Sequence, residues 1–164
     1  MIYQVSGDIL LSQAQLIAHG IAANDPMNQG LALSLHQKYP SMHKDFHHWC
    51  HQYHPKSGAA WLWGGPNSVR IVNLITQECR PGKGAKPGKA TLKHIRESLK
   101  ELTKIIEKEN FNSISLPRIA TGVGGLEWDD VFPVVESVLS DLDIPIYLYT
   151  DYQPGKQAKE PAHK

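Results

Sequence analysis

The sequence predicts an α/β fold, with a largely parallel sheet covered by helices on both faces. Two observations predict it. Apolar stretches with strand-like spacing alternate along the chain with stretches spaced like helix faces, and strands separated by helix-length crossovers pair in parallel. The segment Ser113-Ile-Ser-Leu-Pro-Arg-Ile-Ala-Thr-Gly-Val-Gly-Gly-Leu-Glu-Trp-Asp-Asp-Val131 also reads as a buried strand opening through glycines into an acidic helix start.

Taken in order, residues 2–5 read as a short strand and 16–22 as a buried one. A helix is predicted over 28–39, stopped by Pro40, whose ring and missing N–H break helix continuation. A second helix starts at Ser41 and buries Met42, Phe46, Trp49 and Tyr53, spaced four, three and four apart. Residues 59–63 and 69–76 read as a hairpin joined by Gly64-Gly65-Pro66-Asn67. The longest helix covers 89–110, with Leu92, Ile95, Leu99, Leu102 and Ile106 as its apolar stripe. A strand at 113–119, a helix at 129–141 and a last strand at 144–150 complete the alternation. Residues 1–152 thus form one predicted domain. Residues 153–164, rich in Lys, Pro and small polar residues, read as a disordered tail.

Composition narrows the function. At 164 residues the chain is long enough for one buried core, and its formal charge of +1 argues against binding nucleic acid through overall charge. No apolar run is long enough to span a bilayer and no basic-then-apolar leader opens the chain, so no membrane partner is expected. Two cysteines, Cys50 and Cys79, make neither a disulfide framework nor a zinc box, and are expected as reduced thiols in a cytoplasmic protein.

Ligands of such sheets bind at the carboxyl ends of the strands, and four segments fall there. Gly7-Asp8-Ile9 follows the first strand. Its Asp8 is suited either to accept from an exocyclic amine or to close an Asx-turn. His19 lies in an apolar strand, where a satisfied core histidine is the commoner outcome. The polar loop Asn24-Asp25-Pro26-Met27-Asn28-Gln29-Gly30 then opens a helix whose N–H groups suit an anion. Gln77 and the Gly/Pro-rich stretch to Lys89 carry Arg80, Lys83, Lys86 and Lys89, reading as a cationic lid or a solvated connector. The 121–125 loop reads as a phosphate cradle or a tight turn without ligand, since its spacing is neither a Rossmann fingerprint nor a P-loop. His43, His47, His51 and His54 share one helix face. One helix supplies two metal ligands readily, but nothing elsewhere completes a site, so a solvated face is expected and no metal.

Together these segments resemble the macrodomain family, which binds ADP-ribose. The residues behind the resemblance are Gly7-Asp8-Ile9-Leu10, Leu16-Ile-Ala-His19, Gly30-Leu-Ala32, Asn73-Leu-Ile-Thr-Gln77, Leu116-Pro-Arg-Ile-Ala-Thr-Gly-Val-Gly-Gly-Leu-Glu-Trp128 and Ile146-Tyr-Leu-Tyr-Thr150. The subclass resembled contains the terminal ADP-ribose protein glycohydrolase and the ADP-ribose-1″-phosphate phosphatase. The resemblance implies a three-layer α/β/α fold. It implies that Asp8 binds the adenine amine, that the Ile9 amide lies beside the ring, and that Tyr149 and Asp151 border the adenosine half. Ala22, Asn24 and Gly30 would line the distal ribose and part of the diphosphate. Arg118, Ile119, Ala120, Thr121, Gly122, Val123 and Gly124 would wrap the diphosphate through backbone amides.

The departures bear on mechanism. The glycohydrolase branch uses a lysine and a loop aspartate; Gln77 and Gly124 stand at the matching positions, and neither can form an amine adduct or shuttle a proton. Met27 and Asn28 stand where that family places an aromatic or a glycine. His19 matches the histidine thought catalytic in the phosphatase branch. The resemblance therefore implies a hydrolase that removes ADP-ribose from a modified protein or nucleic acid, or its 1″-phosphate, without the lysine. His19 and Gln77 are its candidate catalytic residues, with no cofactor and a monomeric state expected. The alternative is a reader that binds ADP-ribose without chemistry. A nucleic-acid module ranks last, because Trp61 and Trp63 sit in an apolar hairpin.

Overall fold

The computed structural model describes residues 1–65, 69–78, 88–122 and 124–162. Six strands form one sheet: β1 (Ile2–Gly7), β2 (Leu16–Ala22), β3 (Ala60–Gly64), β4 (Arg70–Gln77), β5 (Ile114–Pro117) and β6 (Ile146–Tyr152). Their order is β1-β6-β5-β2-β4-β3. Every neighbouring pair runs parallel except the β3–β4 hairpin. The helices are α1 (Gly30–Lys38), α2 (Pro40–Tyr53), α3 (Leu92–Glu109) and α4 (Trp128–Leu139). Among the described residues no helix is long and apolar enough to cross a membrane.

The sheet is apolar on both faces because central parallel strands are covered on both. Val72 and Leu74 of β4 and Ile146 and Leu148 of β6 pack with Leu99, Leu102 and Ile106 of α3 and Val131 and Val135 of α4. On the opposite face Ile71 and Ile75 meet Leu35 of α1 and Met42, Phe46 and Cys50 of α2. A third cluster, Val5, Ile9, Ile17, Tyr147 and Tyr149, lies on the β1-β6-β5 half of the sheet.

Boundaries differ from the sequence reading for local reasons. α3 starts at Leu92 because Thr91 caps it, accepting from the His94 amide at 3.2 Å. β6 starts after Pro145, which has no N–H for the ladder. In α2 the buried positions are Met42, Phe46 and Cys50, whereas Tyr53, expected inside, is 65% exposed on the last turn. Leu92, expected on the buried stripe of α3, is also exposed. Of the predicted hairpin turn, Pro66 and Asn67 lie outside the described residues.

The disorder expected from Gln153 onward does not hold for residues 153–162. The Lys156 carbonyl accepts from the Asp8 amide at 2.7 Å, and the Gln153 amide donates to the Gly7 carbonyl at 3.0 Å. Ala158 joins the third apolar cluster. The Glu160 carboxylate accepts from Ser12 Oγ (2.6 Å), the Gln13 amide (2.9 Å), Ser115 Oγ (3.1 Å) and Tyr149 Oη (2.8 Å). Composition alone cannot see one carboxylate meeting donors from distant parts of the chain.

Candidate functional site

A cavity of about 650 Å³ opens at the carboxyl ends of β2, β4 and β5, within the size range of small-molecule sites. Its base is His19, Gly20 and Ile21 of β2 with Gln77 of β4. One wall is the start of α1, from Asn28 to Ala32, with Asp25 from the loop before it. The facing wall is the turn after β5, through Pro117, Arg118, Ile119, Ala120, Gly122 and Gly124.

The N-cap of α1, Gln29, makes no side-chain cap bond, so the first-turn N–H groups and the positive end of the helix dipole are left for an anion. In the facing turn Ala120 takes φ +65°, and the Leu126 amide closes on the Ala120 carbonyl at 2.9 Å. A Cβ on Gly124 would stand 2.7 Å from the Ala120 carbonyl oxygen, so this turn has no room for a side chain there.

His19 is buried, and its Nε2 lies 2.6 Å from Asn73 Oδ1. With a carbonyl oxygen as partner, Nε2 carries the proton and Nδ1 the lone pair. Burial pushes its pKa below the ordinary imidazole value, against the opposing pull of the Asn73 bond and the Asp25 carboxylate. His19 therefore both satisfies itself as a core histidine and lines the cavity. The Asn73 amide nitrogen and the Thr76 hydroxyl are buried without hydrogen-bond partners among the described residues. Gln77 is buried, donates from Nε2 to the Gly88 carbonyl at 3.1 Å, and bridges to Ala90. It ties the loop base to the sheet.

The loop from Asn24 to Gly30 is held from behind by histidines. His47 Nε2 lies 3.0 Å from the Asp25 carbonyl and His36 Nδ1 lies 3.3 Å from the Met27 carbonyl. The rings of His36 and His43 stack at 3.9 Å, and those of His43 and His47 lie 4.3 Å apart. Burial, then the neighbouring His47 and His36, lower the His43 pKa against a bond with the Pro26 carbonyl. His51 and His54 are exposed, but His43 and His47 are half-buried, so the expected solvated face is only half solvated. Among the described residues no group of three or more His, Cys, Asp or Glu is arranged to hold a metal.

Not every expected residue reaches the cavity. Ala22, buried, and Asn24 and Thr121 stand in the flanking segments without lining it. Asp8, Ile9, Tyr149 and Asp151 gather instead beyond it, at the ends of β1 and β6, where Ser6 pairs with Asp151 and Gly7 with Tyr152. Asp8 Oδ1 accepts from the Leu10 amide at 3.0 Å and Oδ2 from the Gly155 amide at 2.9 Å. The hydrogen bonds of Ser6 and Gln153 hold the Asp151 carboxyl below its ordinary range. Val123, Cys79, Arg80, Lys83 and Lys86 lie outside the described residues.

Sequence reasoning assigned no role to Asn73, Tyr152 or Glu160. Asn73 entered only within the Asn73–Gln77 segment of the resemblance; a polar residue inside the apolar run of β4 was the signal for its role. Tyr152, 58% exposed beside Gly7, was available as an aromatic at a strand end.

Comparison with known proteins supplies the remaining observations. The chain is 25% identical over 157 residues to the "DNA ADP-ribosyl transferase-DNA ADP-ribosyl glycohydrolase fusion protein" of Thermosipho africanus, covering 88% of this chain and 40% of that one. It is 26% identical over 147 residues to human "ADP-ribose glycohydrolase OARD1", covering 89% of each. The chain thus spans less than half the length of the first of these relatives. Among solved structures, the macrodomain of Mycobacterium tuberculosis DarG superposes with a TM-score of 0.80 at 24% identity, covering 91% of this chain and 97% of that one. Thermosipho africanus DarTG in complex with ADP-ribose gives 0.80 at 22%, covering 95% and 42%. At such identities these superpositions show the fold. The Macro domain family model matches residues 21–135, from the cavity end of β2 into α4, and the chain belongs to that family.

Proposed function

We propose that the chain binds ADP-ribose in this cleft and hydrolyses its linkage to a modified macromolecule, or its 1″-phosphate, by a route that uses no lysine. The observation that carries the reading is the cavity itself: an uncapped helix start faces a turn in which Gly124 has no room for a side chain. Amides and a helix dipole converging from two sides suit a diphosphate. Family membership supports the same ligand. The names of the Thermosipho and human relatives support removal of ADP-ribose from an acceptor.

In this reading Gly30, Ala120, Gly122 and Gly124 hold the diphosphate and distal ribose through their amides, with Arg118, Ile119 and Thr121 shaping the turn. Ala22 and Asn24 back the ribose end. Asp8, Ile9, Tyr149 and Asp151 take the adenosine end. His19 serves as the base. Its imidazole is kept neutral by burial, its proton is fixed on Nε2 by Asn73, and its Nδ1 is free to accept a proton from water. Gln77, tied through Nε2 to Gly88, orients that water through its carbonyl oxygen. With two cysteines and no disulfide framework, a cytoplasmic location is part of this proposal.

Incubation with ADP-ribosylated protein, ADP-ribosylated DNA and ADP-ribose-1″-phosphate tests it. Wild type should release free ADP-ribose or phosphate from at least one substrate. His19→Ala should lower the rate about 10²-fold or more while leaving ADP-ribose affinity within a few-fold. A second reading, the non-catalytic reader, is favoured by Gly124, where the backbone leaves no room for an acidic side chain. Tight ADP-ribose binding with no turnover of any of the three substrates would establish the reader and refute the hydrolase.

A further inference from the structure

The adenosine end of the proposed site is built partly by residues beyond the last strand. The Asp8 carboxylate is held on one oxygen by the Leu10 amide of its own turn and on the other by the Gly155 amide, at 2.9 Å. The Asp8 backbone is held by the Lys156 carbonyl at 2.7 Å. The fit is close: a Cβ on Gly7 would stand 2.8 Å from Ala158 Cβ and from the Lys156 carbonyl oxygen. Beside these contacts and the Tyr147 hydroxyl's bond to the Pro161 carbonyl, Glu160 anchors the far end of the segment, through its bonds with Ser12, the Gln13 amide, Ser115 and Tyr149.

Burial works against a charged carboxyl at Glu160, but these hydrogen bonds outweigh it and hold its pKa below the ordinary range. It is therefore ionised at neutral pH and accepts from the Gln13 amide, from Tyr149 and from the Ser12 and Ser115 hydroxyls, which also bond each other. An amide in its place would turn an N–H₂ toward groups that are themselves donors.

We propose that Glu160 is a positioning residue for adenine recognition: it latches residues 155–160 across the end of β1 so that the Gly155 amide fixes the Asp8 carboxylate to accept the exocyclic amine of the base. This rests on the ADP-ribose reading above. The segment is not a plug. A carboxylate offers about four acceptor positions, and the two N–H groups on Asp8 leave the rest for a ligand. Asp8 is 8% exposed and Ile9 buried, whereas Asp151 and Tyr152 beside them are exposed, so a purine would reach the carboxylate from the Asp151–Tyr152 side.

The test is the preference for ADP-ribose over inosine diphosphate ribose, which differs by replacing that amine with a carbonyl oxygen. Affinities for both are measured by calorimetry on the 164-residue wild-type chain, Glu160→Gln and Ser115→Ala. Amide spectra check that each variant is folded. Wild type should prefer ADP-ribose, and Glu160→Gln should lower that preference about tenfold, the scale of one hydrogen bond to a charged group. Ser115→Ala, which removes one of these hydroxyls, should lower it less and in the same direction. The Gly155 amide resonance should move in Glu160→Gln.

An unchanged preference in folded Glu160→Gln overturns the proposal. So does equal weakening of both ligands, which would mark Glu160 as merely structural, and so does tighter binding of ADP-ribose, which would make the segment a plug. A wild type that binds both ligands equally refutes the proposal and leaves the ADP-ribose reading standing. A wild type that binds neither refutes both.

Discussion

Gly124 is the residue on which the facing wall of the cavity turns. Its absent side chain matters because both atoms a Cβ would meet first, the Ala120 carbonyl oxygen at 2.7 Å and the Ala120 Cα at 2.8 Å, are backbone and cannot swing aside. Its own carbonyl accepts from the Ala90 amide at 3.1 Å, joining the turn to the base of the 77–90 loop. Gly124→Ala should therefore shift the turn, costing about 1–3 kcal/mol of stability in denaturant titrations and lowering ADP-ribose affinity about tenfold. A variant with unchanged stability and affinity would show that the turn has another path. The sequence exposed Gly124 as a departure from the aspartate-bearing relatives; only the backbone shows why a side chain does not fit. His19 was legible in the same partial way. Its place in an apolar strand suggested a core histidine, and it is one, but its partner Asn73 stands 54 positions away. No local pattern links them. Gln77 likewise gave no sign that its amide would be spoken for by Gly88.

At the scale of elements, legibility followed periodicity. α3 was read from its 3.6-residue stripe because Ile95, Leu99, Leu102 and Ile106 do face the sheet. Leu99 is fully buried between α3 and the core. Leu99→Ala should lower unfolding free energy by about 2–5 kcal/mol in chemical denaturation, the range for a buried leucine that leaves a cavity. A loss below about 1 kcal/mol would mean that the helix repacks. β2 was read with its full bounds, since a strand covered on both faces is apolar throughout. α2 was read less well. Its apolar set was extended to Tyr53, but the helix ends there, at a His54 with φ +47°, and Cys50 takes the buried position instead. Residues 153–162 were misread because their order comes from long-range bonds to Glu160 and from the fit of Ala158 against Gly7, which composition does not encode.

At the scale of the whole molecule, the alternation of strands and helices dictated a covered, mostly parallel sheet, yet not the order β1-β6-β5-β2-β4-β3. That order has a functional consequence. It sets β2 between β5 and β4, so the start of α1, the turn after β5 and Gln77 meet around one opening. It also sets β6 beside β1, so Asp8 and Asp151 share a neighbouring end. The histidines of α1 and α2 buttress the loop between these regions through its carbonyls.

The central claim is that strand-end and helix-start amides cradle a diphosphate flanked by two sugars. Titration of ¹⁵N-labelled protein with ADP-ribose tests it most directly. The account predicts saturable movement of the Gly30, Ala120, Gly122 and Gly124 amide resonances, with an affinity of about micromolar or tighter. A folded protein whose four amides stay fixed at millimolar ADP-ribose would contradict it.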